Sequence, residues 1–197
     1  MINKNKDEAK VEKPLVLGTS KSLFSKYLNW LSVFFFFLFV LLFSFKIFCS
    51  PVLISGNSMN PTLQDKQMWF SRSKYIGEPK RDDIVVAYDV LTRTKIVKRV
   101  VAIDGDVLTV LDSGLYVNRS LIDNSKETLN LIEDKSSWLG SHKGLSVSLH
   151  EGEYFLLGDN RENSNDSRDL GIFPDSTVSS VLTIEVPTFL RNFLLKR

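Results

Sequence analysis

The chain has 197 residues, 43% of them hydrophobic, with 25 basic against 23 acidic side chains. A formal net charge of +2 gives no electrostatic footprint for nucleic acid. The single cysteine, Cys49, excludes an internal disulfide framework and a cysteine-based metal cluster.

In chain order, residues 1–26 are polar and carry Lys4, Lys6, Lys10, Lys13, Lys21 and Lys26 against Asp7, Glu8 and Glu12. They read as a disordered segment. Tyr27 to Phe45 then runs without a charge, long enough to cross a hydrocarbon core of about 30 Å. Trp30 and Lys46 stand at its edges as interfacial anchors. The apolar core is too long for a cleavable signal sequence, and no small-x-small site follows it. Phe48 is too bulky for a lipoprotein site at Cys49. The prediction is a retained transmembrane helix over 27–48. The lysines before it keep the N-terminus cytoplasmic and place the remainder on the far side.

Beyond Pro51 the pattern predicts β structure over 51–187. Gln67–Ser71, Asp83–Tyr88, Lys95–Ile103, Val107–Leu111, Leu115–Val117, Glu153–Leu157 and Val181–Val186 are short runs rich in β-branched and aromatic residues. Turn residues such as Asp104-Gly105-Asp106 and Asp112-Ser113-Gly114 separate them. The fold class is therefore mainly β, an antiparallel sheet domain behind one helix. Ile122–Ser148 is polar and least legible, and it is read as a variable insert. Residues 188–197 read as a short basic amphipathic tail, too short to span a membrane.

Two stretches carry chemistry. Ser55-Gly-Asn-Ser-Met-Asn-Pro-Thr-Leu63 puts Ser58 on a turn bounded by Gly, Asn and Pro, with Pro61 stiffening the chain just beyond it. A serine hydroxyl needs a neighbouring base to act as a nucleophile. In Lys95–Ile103 the strand period of two places Ile96, Lys98, Val100 and Ala102 on one face. Lysine serves as a base only when neutral, and an apolar face lowers its pKa from about 10.4. The pattern proposes a Ser58–Lys98 dyad. His142 and His150 fall in or beside the weak middle segment without a supporting motif, so a Ser-His-Asp triad is not the reading.

The Ser55–Leu63 stretch, Asp83-Ile-Val-Val86, Lys98-Arg-Val-Val101 and Gly158-Asp-Asn-Arg-Glu-Asn-Ser-Asn-Asp-Ser-Arg-Asp-Leu-Gly171 together resemble the ordered boxes of type I signal peptidases. The resemblance covers roughly residues 51–187, with a weak middle. It implies a large antiparallel sheet, a membrane-bound serine endopeptidase that removes N-terminal signal peptides, and no cofactor or metal.

By residue, the resemblance makes Ser58 the nucleophile and the Ser58 backbone N–H an oxyanion donor. Lys98 is the general base and Ser164 the hydroxyl that orients it. Asp166 and Arg168 are a salt bridge beside the site, Asp159 a loop pin, Met59 a wall of the substrate pocket. Met68, Trp69 and Phe70 lie at the membrane interface. The partners implied are preprotein signal peptides with small residues at the −3 and −1 positions, and membrane phospholipid, with the enzyme a monomer in a bacterial cytoplasmic membrane.

Several family positions differ. Gly56 stands where some relatives supply a second oxyanion donor from serine. The usual glycine before Asp83 is Asp82, and the Gly-Asp pair after the first box is Lys66-Gln67. Ala102–Asp106 replaces a Gly-x-Pro-Gly-Asp turn. Aspartate tolerates left-handed backbone, so Asp82 is expected to hold its turn. The alternatives are a repressor-type Ser-Lys self-cleaver, which lacks its DNA-binding module here, and a silent or specialised paralogue acting as a binding subunit in protein export.

Overall fold

A computed structural model describes residues 19–48 and 50–194. Lys4, Lys6, Lys10 and Lys13, Cys49 and the last three residues of the basic tail lie outside the described residues.

The described residues fall into two compact units, one ending at Ser44 and the other beginning at Phe45. The first holds most of α1 (Thr19–Phe48). Leu23–Ser44 within it is apolar enough to cross a membrane, with a mean hydropathy of 2.0. Its 22 residues extend about 33 Å at 1.5 Å per residue. Its large side chains, including Phe34, Phe35, Phe36 and Phe37, are exposed. Without a core to enter, such a surface is stable only in an apolar surrounding.

The second unit is built from two antiparallel sheets. The larger sheet uses β1 (Ser50–Leu53), β2 (Met68–Ser73), β3 (Ile84–Asp89), β4 (Thr94–Ala102), β9 (Glu153–Leu157), β10 (Phe173–Pro174) and β11 (Val178–Glu185). Their order is β1-β2-β11-β3-β4-β9-β10. The smaller sheet orders β7 (Ser120–Asp123), β6 (Gly114–Val117), β5 (Val107–Leu111) and β8 (Ser146–Ser148) as β7-β6-β5-β8. The fold is mainly β, as the alternating runs predict.

Alternation decides where each strand packs. On β9, Tyr154 and Leu156 enter one core with Val85, Ala87 and Val100. Phe155 and Leu157 enter another, with Leu108, Leu115 and Leu139. On β3, Val86 turns away from Val85 and Ala87 to join Ile54, Met59, Leu63 and Leu182. This third core sits under the Ser58 loop.

The 122–148 stretch is folded, and part of it is helical. It forms α2 (Lys126–Glu133) and α3 (Trp138–Ser141), capped by the Ser125 and Ser137 hydroxyls. Leu131, Ile132 and Leu139 pack into the core shared with Phe155 and Leu157. The remaining helices are α4 (Ser167–Leu170) and α5 (Thr188–Leu194).

The departures from the family turns keep the backbone that glycine would adopt. Lys66 has φ 65° and Asp82 φ 71°. Both lie in the left-handed region, which costs an ordinary residue roughly 1–2 kcal/mol and aspartate less.

Candidate active site

Ser58 sits on the loop after β1, between buried anchors. Ile54 and Leu63 are nearly inaccessible, and so is Met59 beside it. The loop closes on itself through Leu63 N–H to the Met59 carbonyl at 2.9 Å and Asn60 N–H to the Asn57 carbonyl at 3.1 Å. A second clamp comes from the distant Gly158–Gly171 box. The Asn160 N–H donates to the Ser58 carbonyl at 3.0 Å, and Asn160 Nδ2 donates to the Asn57 carbonyl at 3.0 Å. Held from both sides, the Ser58 side chain points to Lys98.

Lys98 Nζ donates to Ser58 Oγ at 2.8 Å. Only 3% of Lys98 is exposed. Its neighbours on the strand face, Val100 and Ile96, belong to the core beneath β9. Burial, as the largest cause, holds the Lys98 amine below the ordinary lysine value. Asp166 pulls it back up and Arg168 adds to the lowering.

The Gly158–Gly171 box packs against this pair. Asp166 and Arg168 have no exposed surface. Asp166 accepts Arg168 Nε at 2.9 Å and Nη2 at 3.0 Å, in the bidentate geometry that makes such pairs strong. It also accepts the Gly158 N–H at 2.9 Å. Arg168 Nη1 donates to the Arg161 carbonyl and the Thr128 hydroxyl, and lies 3.4 Å from Asp123. Burial pushes the Asp123 carboxyl up, but bonds from Thr128 and the Ser125 N–H, with Arg161 and Arg168, hold it below its usual range.

Asp159 pairs with Arg99 through two bonds of 2.8 and 2.6 Å. Arg99 also donates to the Asp82 carbonyl. Burial raises the Asp159 carboxyl, and the Arg99 and Thr62 hydrogen bonds outweigh it, so the net shift is downward.

Ser164 lines the same cavity as Ser58 and Lys98. Its hydroxyl is buried with no hydrogen-bond partner among the described residues. It rests on Gly158 instead. A Cβ added to Gly158 would lie 2.1 Å from Ser164 Oγ and 2.6 Å from the Ser58 carbonyl oxygen. Glycine is therefore a structural requirement of the site, by space rather than by backbone angle. Sequence reasoning quoted Gly158 only as the start of a box. A glycine directly after the apolar Glu153–Leu157 run was the available signal for close backbone approach. Asp123 and Thr128 were also missed, because their role depends on a side chain 40 or more residues away.

Two cavities meet at the dyad. One, of about 590 Å³, runs over the third core between Ser50–Gly56 on one side and Lys95–Lys98 on the other. Met59 is part of its wall. A second, of about 340 Å³, adds Asn57, Asp89, Asn163, Ser164 and Asn165. β1 pairs only with β2, and β9 reaches β4 only from Arg99 onward. The groove is thus flanked by two unpaired strand edges. Ser58 lines both cavities, and its backbone N–H donates to no backbone carbonyl among the described residues.

The membrane-interface trio separates. Met68 is buried at 6% exposure, on the strand face it shares with Leu53 and Phe70. Phe70 is half-buried opposite the exposed Ile184, while half-buried Trp69 packs with Val52 against the third core. His142 stacks on Trp138 at 4.2 Å and His150 is exposed. Neither lines the cavities at Ser58. No cluster of three or more His, Cys, Asp or Glu able to hold a metal occurs among the described residues.

Comparisons with known proteins agree with the motifs. The family model described as signal peptidase, peptidase S26, matches residues 27–186. Signal peptidase I of Bacillus licheniformis is 35% identical over 138 residues, covering 66% of this chain and 72% of that protein. Signal peptidase I T of Bacillus subtilis strain 168 is 35% identical over 137 residues, covering 65% and 68%. A crystal structure of a signal peptidase I from Enterococcus faecalis V583 aligns at 25% identity with a TM-score of 0.38, over 54% of this chain and 98% of that one.

Proposed function

The chain belongs to the signal peptidase family, peptidase S26, and on that premise we propose that it is a membrane-anchored serine endopeptidase removing N-terminal signal peptides from translocated preproteins, with Ser58 as nucleophile and neutral Lys98 as general base. The observation that carries this reading is the 2.8 Å contact between a serine hydroxyl and a lysine amine that is buried. At that distance a neutral amine is within reach of the proton it must take.

Ser58 Oγ attacks the scissile carbonyl carbon while its proton passes to Lys98 Nζ. The negative charge that develops on the carbonyl oxygen is met by the Ser58 backbone N–H. Collapse of the intermediate expels the mature protein's amine, which takes the proton from Lys98, and leaves an ester on Ser58. Lys98 then deprotonates a water that attacks the ester. The signal peptide departs as a carboxylic acid, and Ser58 regains its proton. The bidentate Asp166–Arg168 pair fixes the box behind Lys98, and Asp159–Arg99 fixes the turn before it. Ser164 lies where its hydroxyl can orient the amine once the groove is filled.

The unpaired edges of β1 and β4 suit an extended peptide added as a strand. Val52, Ile54, Met59, Val86 and Val97 wall the groove. Such apolar, shallow walls fit the small −1 and −3 residues expected of the substrate. The apolar span of α1 anchors the enzyme. The lysine bias before it supports a catalytic domain across the membrane from the N-terminus, and the likeness to bacterial signal peptidases supports a bacterial cytoplasmic membrane. Half-buried Phe70, with the exposed Leu53 and Ile184, offers a surface for the lipid interface at which signal peptides emerge.

The test is cleavage of a preprotein with an Ala-x-Ala site, in detergent and phospholipid, by wild type and by Ser58→Ala. Cleavage after the second alanine by wild type alone supports the peptidase. Equal cleavage, or none, by two folded proteins would favour the silent paralogue.

A further inference from the structure

The larger cavity holds one charged group that the dyad does not use. Strand register sets its floor. Ser73, Ser180, Val86 and Val97 stand opposite one another in a row across β2, β11, β3 and β4. Lys95 lies two residues before Val97 on the same face of β4, and it lines the cavity with Lys98. Three residues at about 3.3 Å each separate their backbones by roughly 10 Å.

The Lys95 side chain is exposed, and no hydrogen bond or ion pair among the described residues involves Lys95 beyond the β3–β4 ladder of its backbone. No aspartate or glutamate lines this cavity. Asp89, on the opposite face of the hairpin, lines the adjoining cavity instead, where it accepts the Leu91 N–H and the Thr92 hydroxyl. With Lys98 neutral, Lys95 is the one full positive charge along the groove.

We propose that Lys95 is a specificity-determining residue, favouring an acidic and disfavouring a basic side chain a few residues before the scissile bond. This rests on the peptidase reading above. A peptide added along the edge of β4 with its scissile bond at Ser58 carries its upstream residues past Lys95. A carboxylate there gains a Coulombic partner, and an ammonium meets a like charge. Because Lys95 is solvent-exposed, the effect is modest and salt-dependent: exposed pairs change an equilibrium about two- to fivefold, and 0.5 M salt screens most of it.

The test uses one preprotein with an Ala-x-Ala site, carrying Glu, Gln or Lys singly at positions −2, −4 and −5. Values of kcat/KM are measured for wild type, Lys95→Gln and Lys95→Glu, and the Glu-to-Lys substrate ratio is compared within each enzyme. Wild type is expected to prefer Glu about threefold or more at one position at low salt. The ratio approaches one in Lys95→Gln, inverts in Lys95→Glu, and shrinks in 0.5 M NaCl. Cleavage of the Gln substrate with equal Glu and Lys rates in wild type, or an unchanged preference in Lys95→Glu, overturns the selectivity alone. No cleavage of the Gln substrate by wild type overturns the peptidase reading and the selectivity with it.

Discussion

The carbonyl oxygen of Ser58 accepts the N–H of Asn160 at 3.0 Å, so the loop that carries the hydroxyl is fastened to the strand end that carries Gly158. A Cβ on Gly158 would sit 2.6 Å from that same carbonyl oxygen. The Gly158→Ala variant must therefore push the Ser58 loop or Ser164 aside. Overpacking of this kind costs about 1–3 kcal/mol. The expected result is a lower Tm together with a kcat loss of tenfold or more; unchanged kcat in a folded protein would show that the clamp does not position Ser58.

Arg168 is the hub behind the site, with Asp166 and Asp123 both directed at it. Removing it with Arg168→Leu leaves the fully buried Asp166 carboxylate without its cation and Asp123 with Arg161 alone as one, a change that costs about 3–5 kcal/mol. Urea denaturation is expected to show that loss. Asp123→Asn, which keeps a hydrogen-bonding shape, is expected to lose less. Equal stability of Arg168→Leu and wild type would refute the hub.

Lys98 also sets a pH dependence of stability. Its folded pKa is depressed below the unfolded value of about 10.4. Between the two values the unfolded chain binds more protons, so stability rises with pH through that window. Below the folded value the penalty is present in full. Lys98→Met removes the penalty and fills similar space. It is expected to have the higher Tm at pH 7, with the gap closing toward pH 10.4. A Lys98→Met protein less stable than wild type at pH 7 would count against a desolvated lysine.

Lys66 and Asp82 hold left-handed backbone at positions where family members carry glycine. Lys66→Gly relieves a side chain that disfavours φ 65°, while freeing the unfolded chain. A net gain of up to about 1 kcal/mol is expected for Lys66→Gly and less for Asp82→Gly. Thermal unfolding of the two variants checks the ranking; a larger gain for Asp82→Gly would contradict it.

Strand positions were legible because strands buried on both faces, such as β3 and β9, read as short continuous runs of β-branched and aromatic residues. Val107–Leu111 and Glu153–Leu157 match their strands at both ends. Lys98 was legible as a charge on an apolar face. The 122–148 region was not, because its helices are short and their apolar residues few. Leu131, Ile132 and Leu139 are scattered among polar residues, and only the Ser125 and Ser137 caps announce the helices. Met68 was not legible, because burial along β2 does not alternate: Met68 and Ser71 are buried, with Trp69 and Phe70 half-buried between them. The demand for glycine at 158 arises from two chain segments meeting in space, which a single local pattern does not record.

The central claim is that neutral Lys98 takes the Ser58 proton, and the pH dependence of kcat/KM for an Ala-x-Ala preprotein tests it most directly. The rate is expected to climb toward alkaline pH through an apparent pKa below about 10.4, in step with loss of the Lys98 proton. A profile flat from about pH 6 to about pH 10 would contradict a lysine base.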